Sequence, residues 1–187
     1  MSGVITILGF AGSLRKKSFN KSLLREAVEL CPEDAKIEVF DLEGIPLFNQ
    51  DLESQPHERV REFKKRIRAA DAILIATPEY NYSIPGVLKN AIDCASRPYG
   101  DNSLEGKPVA VMGASIGMIG TARAQYHLRQ CFVFLNIYPL NRPEVMVAFA
   151  PEKFDENGNL KDERVKKNIA DMLTALVAWT RKLKEIS

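Results

Sequence analysis

Three short apolar runs, each followed by a small-residue loop and then by residues at helical spacing, constrain this chain more than any other feature. The first is Ile5, Ile7 and Leu8, ahead of Gly9 and Gly12 and then of Leu23, Leu24, Ala27, Val28 and Cys31. The second, Ala72 to Ala76, is apolar throughout, as in a central parallel strand covered on both faces, and Val87, Leu88, Ala91, Ile92 and Ala95 follow at helical spacing. The third is Val109 to Met112, followed by a helix from about Thr121 to Phe134. Lys36 to Phe40 reads as a further strand, and a last one lies within Ile137 to Ala148, interrupted by Pro139 and Pro143. Helices are also expected over His57 to Ala70 and Asp162 to Lys184. Five strands alternating with helices predict an α/β fold: a doubly wound parallel sheet with right-handed crossovers and helices on both faces. Strand order 2-1-3-4-5 would bring the loops after strands one, three and four to one edge, where such sheets bind ligands.

Composition excludes several classes. At 187 residues and 45% hydrophobic, the chain is expected to form a single domain over residues 1–187 with a sizeable core. Lys+Arg 26 against Asp+Glu 24 gives +2, so nothing in the overall charge calls for nucleic acid or a membrane. One helix is strongly basic, through Arg59, Arg61, Lys64, Lys65, Arg66 and Arg68, and its narrow stripe of Val60, Phe63 and Ile67 leaves these outside as a solvated face. Cys31, Cys94 and Cys131 fall in helix-like segments with no C-x-x-C and read as reduced core residues. No Cys/His spacing suits a metal, no apolar run approaches the roughly 18 residues of a span, and the start lacks a leader pattern. A cytoplasmic location is expected.

The loop after the first strand carries Ser13, Arg15, Ser18 and Asn20 ahead of a helix start. A strand feeding a helix in this way aims backbone N–H groups and the positive end of the helix dipole at the crevice. Hydroxyls and a guanidinium then suit a phosphate dianion. Two familiar phosphate signatures fail: there is no G-x-G-x-x-G, and Gly106-Lys107 is followed by Pro108 at the wrong distance from Gly100. What remains is a monophosphate loop of hydroxyls. The second loop, Pro78-Glu79-Tyr80-Asn81-Tyr82-Ser83, offers a flat, proline-bounded surface of aromatic and amide groups. The third contains Gly113-Ala114-Ser115-Ile116-Gly117, a literal G-x-S-x-G between strand and helix. A serine hydrolase would need an acid and then a histidine after Ser115, and the only later histidine is His127 on the very next helix. That class is a remote alternative.

GSLRKKSFN at 12–20, PEYNYSIPGVLKNAID at 78–93 and ASIGMIGTARAQ at 114–125 together resemble the NAD(P)H-dependent FMN reductases of flavodoxin-like fold, including bacterial quinone, chromate and azo-dye reductases. The resemblance covers nearly the whole chain. It implies a five-stranded flavodoxin-like sheet, bound FMN, NADPH or NADH as co-substrate, and ping-pong reduction of quinones, azo compounds, chromate or free flavin. By the same likeness Ser13, Arg15, Ser18 and Asn20 would hold the FMN phosphate. Pro78, Glu79, Tyr80 and Asn81 would border the isoalloxazine ring with Tyr82 close by, and Ser115 and Gly117 would lie at its other edge. Thr121 departs from the pattern, since many relatives carry another glycine there. No catalytic side chain is assigned, because hydride chemistry belongs to the cofactor. The partner expected is a small-molecule electron acceptor. Phe132-Val133-Phe134-Leu135 and the long loop Asp41 to Pro56 suggest a homodimer or homotetramer, and a non-catalytic electron carrier on the same fold is the alternative.

Overall fold

In the computed structural model, which describes residues 3–186, the apolar runs become parallel strands because each has helices to bury against on both sides. The elements are β1 (Ile5–Ala11), α1 (Phe19–Glu29), β2 (Ala35–Phe40), α2 (Glu58–Ala69), β3 (Ala72–Ala76), α3 (Gly86–Ser96) and β4 (Pro108–Ala114), then α4 (Ala122–Leu135), β5 (Tyr138–Pro139), β6 (Val145–Val147), α5 (Ala150–Lys153) and α6 (Glu163–Ile186). The strand order is β2-β1-β3-β4-β5, with every pairing parallel. The flavodoxin-like order expected from the sequence is therefore present.

Alternation along the strands divides the interior in two. Ile73 and Ile75 of β3 and Val109 and Val111 of β4 face Phe63 and Ile67 of α2, Leu88 and Ile92 of α3, and Leu128 and Phe132 of α4. Leu74, Ala110, Met112 and Ala114 face Leu23, Leu24 and Ala27 of α1 and Ile169, Met172, Leu173 and Leu176 of α6. A Cβ on Gly9 would come within 2.7 Å of the Leu24 side chain, so α1 lies directly on β1.

Several expectations need correction. The last strand is split: Pro139 and Pro143 lack an N–H for the ladder, so the chain leaves β4 after β5 and returns to it at Val145, opposite Met112. Cys31 lies beyond the end of α1 and is only half-buried, as is Cys131, which leaves Cys94 as the buried one. Phe132 is a core residue, whereas Val133 and Phe134 are 84% and 80% exposed. Lys64 is not on a solvated face. It is buried, and its ammonium donates to Arg97 O and to Asp101 Oδ2 at 2.5 Å. The long loop is pinned to α3, where Phe48 N–H donates to Asn90 Oδ1 and Asn90 Nδ2 donates to Pro46 O, both at 2.8 Å. No helix among the described residues is long and apolar enough to cross a membrane.

Candidate functional site

The ladder continues one residue past two strand ends: Gly12 N–H donates to Ala76 O at 2.8 Å and Thr77 N–H to Met112 O at 2.9 Å. Three loops therefore leave the sheet from one level, after β1, β3 and β4.

In the first loop Ser18 caps α1, its Oγ accepting from Asn20 N–H at 3.2 Å. Ser13 and Ser18 are buried, while Arg15 is exposed with its guanidinium 5.5 Å from the Phe19 ring centre. Asn20 is buried and turned to the third loop, where its amide donates to Ala114 O at 3.0 Å and accepts from Ala114 N–H at 2.9 Å. Asn20 thus sets the spacing of two loops. The N–H groups of Leu14, Lys16 and Lys17 meet no acceptor among the described residues, and Arg15, Lys16 and Lys17 form no ion pair there. Residues 12–20 include no acid.

The second loop is more constrained than its sequence suggested. Tyr80 and Ser83 exchange two backbone hydrogen bonds of 3.0 Å, closing a turn with Asn81 at φ 49° and Tyr82 at φ 66°. Both central residues are left-handed, the mirror-image type I′ geometry; asparagine tolerates it, while a tyrosine there costs on the order of 1–3 kcal/mol. Contacts with α4 hold the turn. Glu79 Oε1 accepts from Arg123 Nη1 at 2.9 Å and Oε2 from Ala124 N–H at 3.1 Å. Glu79 thereby caps α4, whose own N-cap residue Thr121 makes no side-chain cap. The Arg123 guanidinium lies 3.7 Å from the Tyr82 ring centre, and Ser83 Oγ is 3.1 Å from His127 Nδ1. The sequence pattern alone does not tie Arg123 and His127 to this turn; their i,i+4 spacing on one helix face is the available signal.

The third loop depends on glycine at its root. A Cβ on Gly113 would sit 2.0 Å from Thr121 Oγ1 and 2.4 Å from Thr77 O. Thr121 is fully buried and its Oγ1 accepts from Gln125 Nε2 at 3.0 Å, so the position that departs from the family pattern is used for packing. Ser115 N–H donates to Val147 O at 3.0 Å and Ser115 O accepts from Ala150 N–H at 2.9 Å, fixing the loop to β6 and α5. Gly117 O accepts from Phe149 N–H at 3.2 Å. The tip carries exposed Ile116, Met118 and Ile119. Ser115 Oγ has only Gly117 O, at 3.4 Å, as partner, and His127 is engaged with Ser83, so the serine–histidine pair of a hydrolase is not formed among the described residues.

The sequence matches the profile of the NADPH-dependent FMN reductases over residues 5–152. The chain belongs to that family. It is 52% identical over 185 residues to an NAD(P)H-dependent FMN reductase of Pseudomonas aeruginosa, covering 98% of this chain and 100% of the relative. A 2-hydroxy-1,4-benzoquinone reductase of a Burkholderia species is 45% identical over 170 residues, 91% of this chain and 93% of its own. Among solved structures, the flavoenzyme NAD(P)H:(acceptor) oxidoreductase FerB of Paracoccus denitrificans superposes with a TM-score of 0.88 at 38% identity, covering 96% of this chain and 98% of that one. As a member of the FMN reductase family, the protein is an oxidoreductase that uses FMN and NAD(P)H. The first loop fits such a cofactor on its chemistry, since it presents two buried hydroxyls, uncommitted N–H groups at a helix start and a free guanidinium, with no carboxylate to repel a phosphate.

Proposed function

We propose that residues 1–187 act as one cytoplasmic domain that binds FMN across the three loops and uses NAD(P)H to reduce a small acceptor. The acceptors are quinones, azo compounds, chromate or free flavin. In this reading Ser13, Arg15 and Ser18, with the N–H groups between them, take the phosphate, and Asn20 fixes the third loop through Ala114. Pro78, Glu79, Tyr80, Asn81 and Tyr82 form the border of the ring, with Glu79 acting through α4, and Ser115 and Gly117 bound the other edge. FMN, when bound, supplies the hydride chemistry between NAD(P)H and the acceptor. The protein's share is to hold the ring flat and one face open, which the Tyr80–Ser83 turn supports by its double hydrogen bond and its attachment to α4.

The observation that carries the reading is the meeting of an acid-free loop with uncommitted N–H groups and a clamped aromatic turn at adjacent strand ends, β1 and β3. No nucleic-acid role is proposed, because all but Lys65 of the basic residues on α2 are engaged within the chain. Exposed Val133 and Phe134 support a homodimer or homotetramer; a light-scattering mass near the 20.9 kDa of one chain at micromolar concentration would contradict it. Anaerobic addition of NADH or NADPH to the flavin-loaded protein tests the enzyme reading: the flavin bleaches within seconds, and steady-state double-reciprocal plots are parallel. A bound flavin that neither nucleotide bleaches at millimolar concentration would favour an electron carrier.

A further inference from the structure

A cleft of about 630 Å³ opens beside the first loop, running along α1 to the segment between α5 and α6. Arg15, Lys16, Lys17 and Arg25 line it. The first three have no ion-pair partner among the described residues, and Arg25 is held in place by Ser22 Oγ at 2.9 Å and Gly158 O at 3.2 Å, both of them uncharged acceptors. Two acids face these cations from 155–158. Asp155 is occupied with its own loop: its carboxylate accepts from Asn159 N–H at 2.8 Å, Asn157 N–H at 2.9 Å and Asn159 Nδ2 at 3.0 Å. Those donors carry no charge, so Asp155 stays a carboxylate, and it and Glu156 set two negative charges against four cations. Half-buried Phe19 adds an aromatic ring to the cleft wall, backed by buried Phe154 at 5.1 Å between ring centres and tilted 36° to it.

A cleft with an excess of cations and an aromatic ring on its wall suits a ligand that carries both a base and a phosphate. Its position narrows the choice. Arg15 belongs at once to this cleft and to the loop assigned to the FMN phosphate, so the cleft begins where the cofactor ends. A nicotinamide dinucleotide is longer than FMN. With its nicotinamide on the flavin ring and its length along the cofactor, its adenosine end passes Arg15 and enters the cleft. We propose that this cleft receives the 2′-phosphoadenosine end of NADPH and makes the protein prefer NADPH to NADH. Lys16 and Lys17, compact charges on flexible stems with three donors each, serve the 2′-phosphate, and Phe19 serves the adenine. The proposal rests on the FMN reading of the preceding subsection.

The test uses adenosine 2′,5′-bisphosphate and adenosine 5′-monophosphate as probes, titrated calorimetrically into the full chain. The bisphosphate should bind roughly tenfold or more tightly than the monophosphate, the scale of one charge-assisted hydrogen bond. Lys16→Gln with Lys17→Gln should erase that difference and lower the NADPH-to-NADH ratio of kcat/KM by a similar factor. Inorganic phosphate up to ten millimolar should compete only weakly, because it lacks the base. Equal binding of the two nucleotides by the wild type would overturn the proposal, as would a difference that survives in the double variant, or phosphate competing as well as the bisphosphate. Titration of FMN into the same wild-type protein is read separately: failure to bind FMN removes the cofactor reading, whereas FMN binding with no preference between the adenosine nucleotides removes only the cleft assignment.

Discussion

Helix α2 and the loop of residues 12–18 are both rich in cations, and they use them in opposite ways. On α2, Arg59 reaches Asp41 O and Glu43 O, Arg66 meets Glu38, Arg68 meets Asp101, and Lys64 is buried against Arg97 O and Asp101. These charges hold β2, the long loop and the α3–β4 connection together, and little of them is left for a partner. In the shorter loop, among the described residues, Arg15, Lys16 and Lys17 form no ion pair, the Arg15 guanidinium lying over the Phe19 ring, and neighbouring N–H groups are free of acceptors. A dense run of charge is thus not evidence of binding; charge that the fold leaves unpaired beside unpaired N–H groups is.

The largest effect that would test this contrast is on ligand affinity. Arg15→Ala should weaken FMN binding by about 1.5–3 kcal/mol while leaving the unfolding free energy within about 0.5 kcal/mol, measured by flavin fluorescence and urea titration. Lys64→Ala should do the reverse, losing about 2 kcal/mol of stability, less than a fully buried pair because Asp101 is half exposed, with FMN affinity held. Glu79→Gln should fall between the two types, costing about 1 kcal/mol of stability through the α4 cap and weakening FMN through the released turn.

A smaller, pH-linked effect follows from the same ties. The Lys64 hydrogen bond, assisted by the charges of Lys64 and Arg68 and opposed by slight burial, holds the Asp101 carboxyl below its ordinary range. At Asp71 burial pushes upward, but the Lys184 ammonium and the Thr6 N–H prevail and lower it. Groups lowered in the folded state contribute stability that is complete above the unfolded carboxylate value, about 3.9, and lost as pH falls through the lower folded value. Urea midpoints should therefore drop below about pH 4, less steeply in Asp101→Asn. Smallest of all, Lys65→Ala, at an exposed position on the same basic helix with no partner among the described residues, should change stability by no more than about 0.5 kcal/mol and FMN binding not at all.

What could be read in advance follows from the range of the interactions. The run Ala72 to Ala76 coincides with β3 end to end, because a strand buried on both faces must be apolar at every position. The strand-end loops were legible as a group for the same reason, since alternation and right-handed crossovers leave little freedom in where they emerge. Phe132-Val133-Phe134-Leu135 suggests self-association as a run, yet the i,i+4 step from Leu128 to Phe132 separates the core residue from exposed Val133 and Phe134. Other features lay outside local pattern. Glu79 capping a helix 45 residues away, Asn20 bonding Ala114 across the sheet edge and Asn90 holding the long loop are contacts between distant segments, and no spacing rule announces them. The left-handed Tyr82 is of this kind too: its conformation is supported by Arg123, which a reading of PEYNYS alone does not include.

The central claim is that the unpaired loop of residues 12–18 recognises the phosphate of a flavin. Comparing the affinities of the wild-type protein for FMN and for riboflavin, which differ only in that phosphate, tests it most directly. By fluorescence titration at matched ionic strength, FMN should bind tighter than riboflavin by about 1.5–3 kcal/mol, roughly ten- to a hundredfold, and the gap should close in Arg15→Ala. Equal affinity for the two flavins in the wild-type protein would contradict the claim.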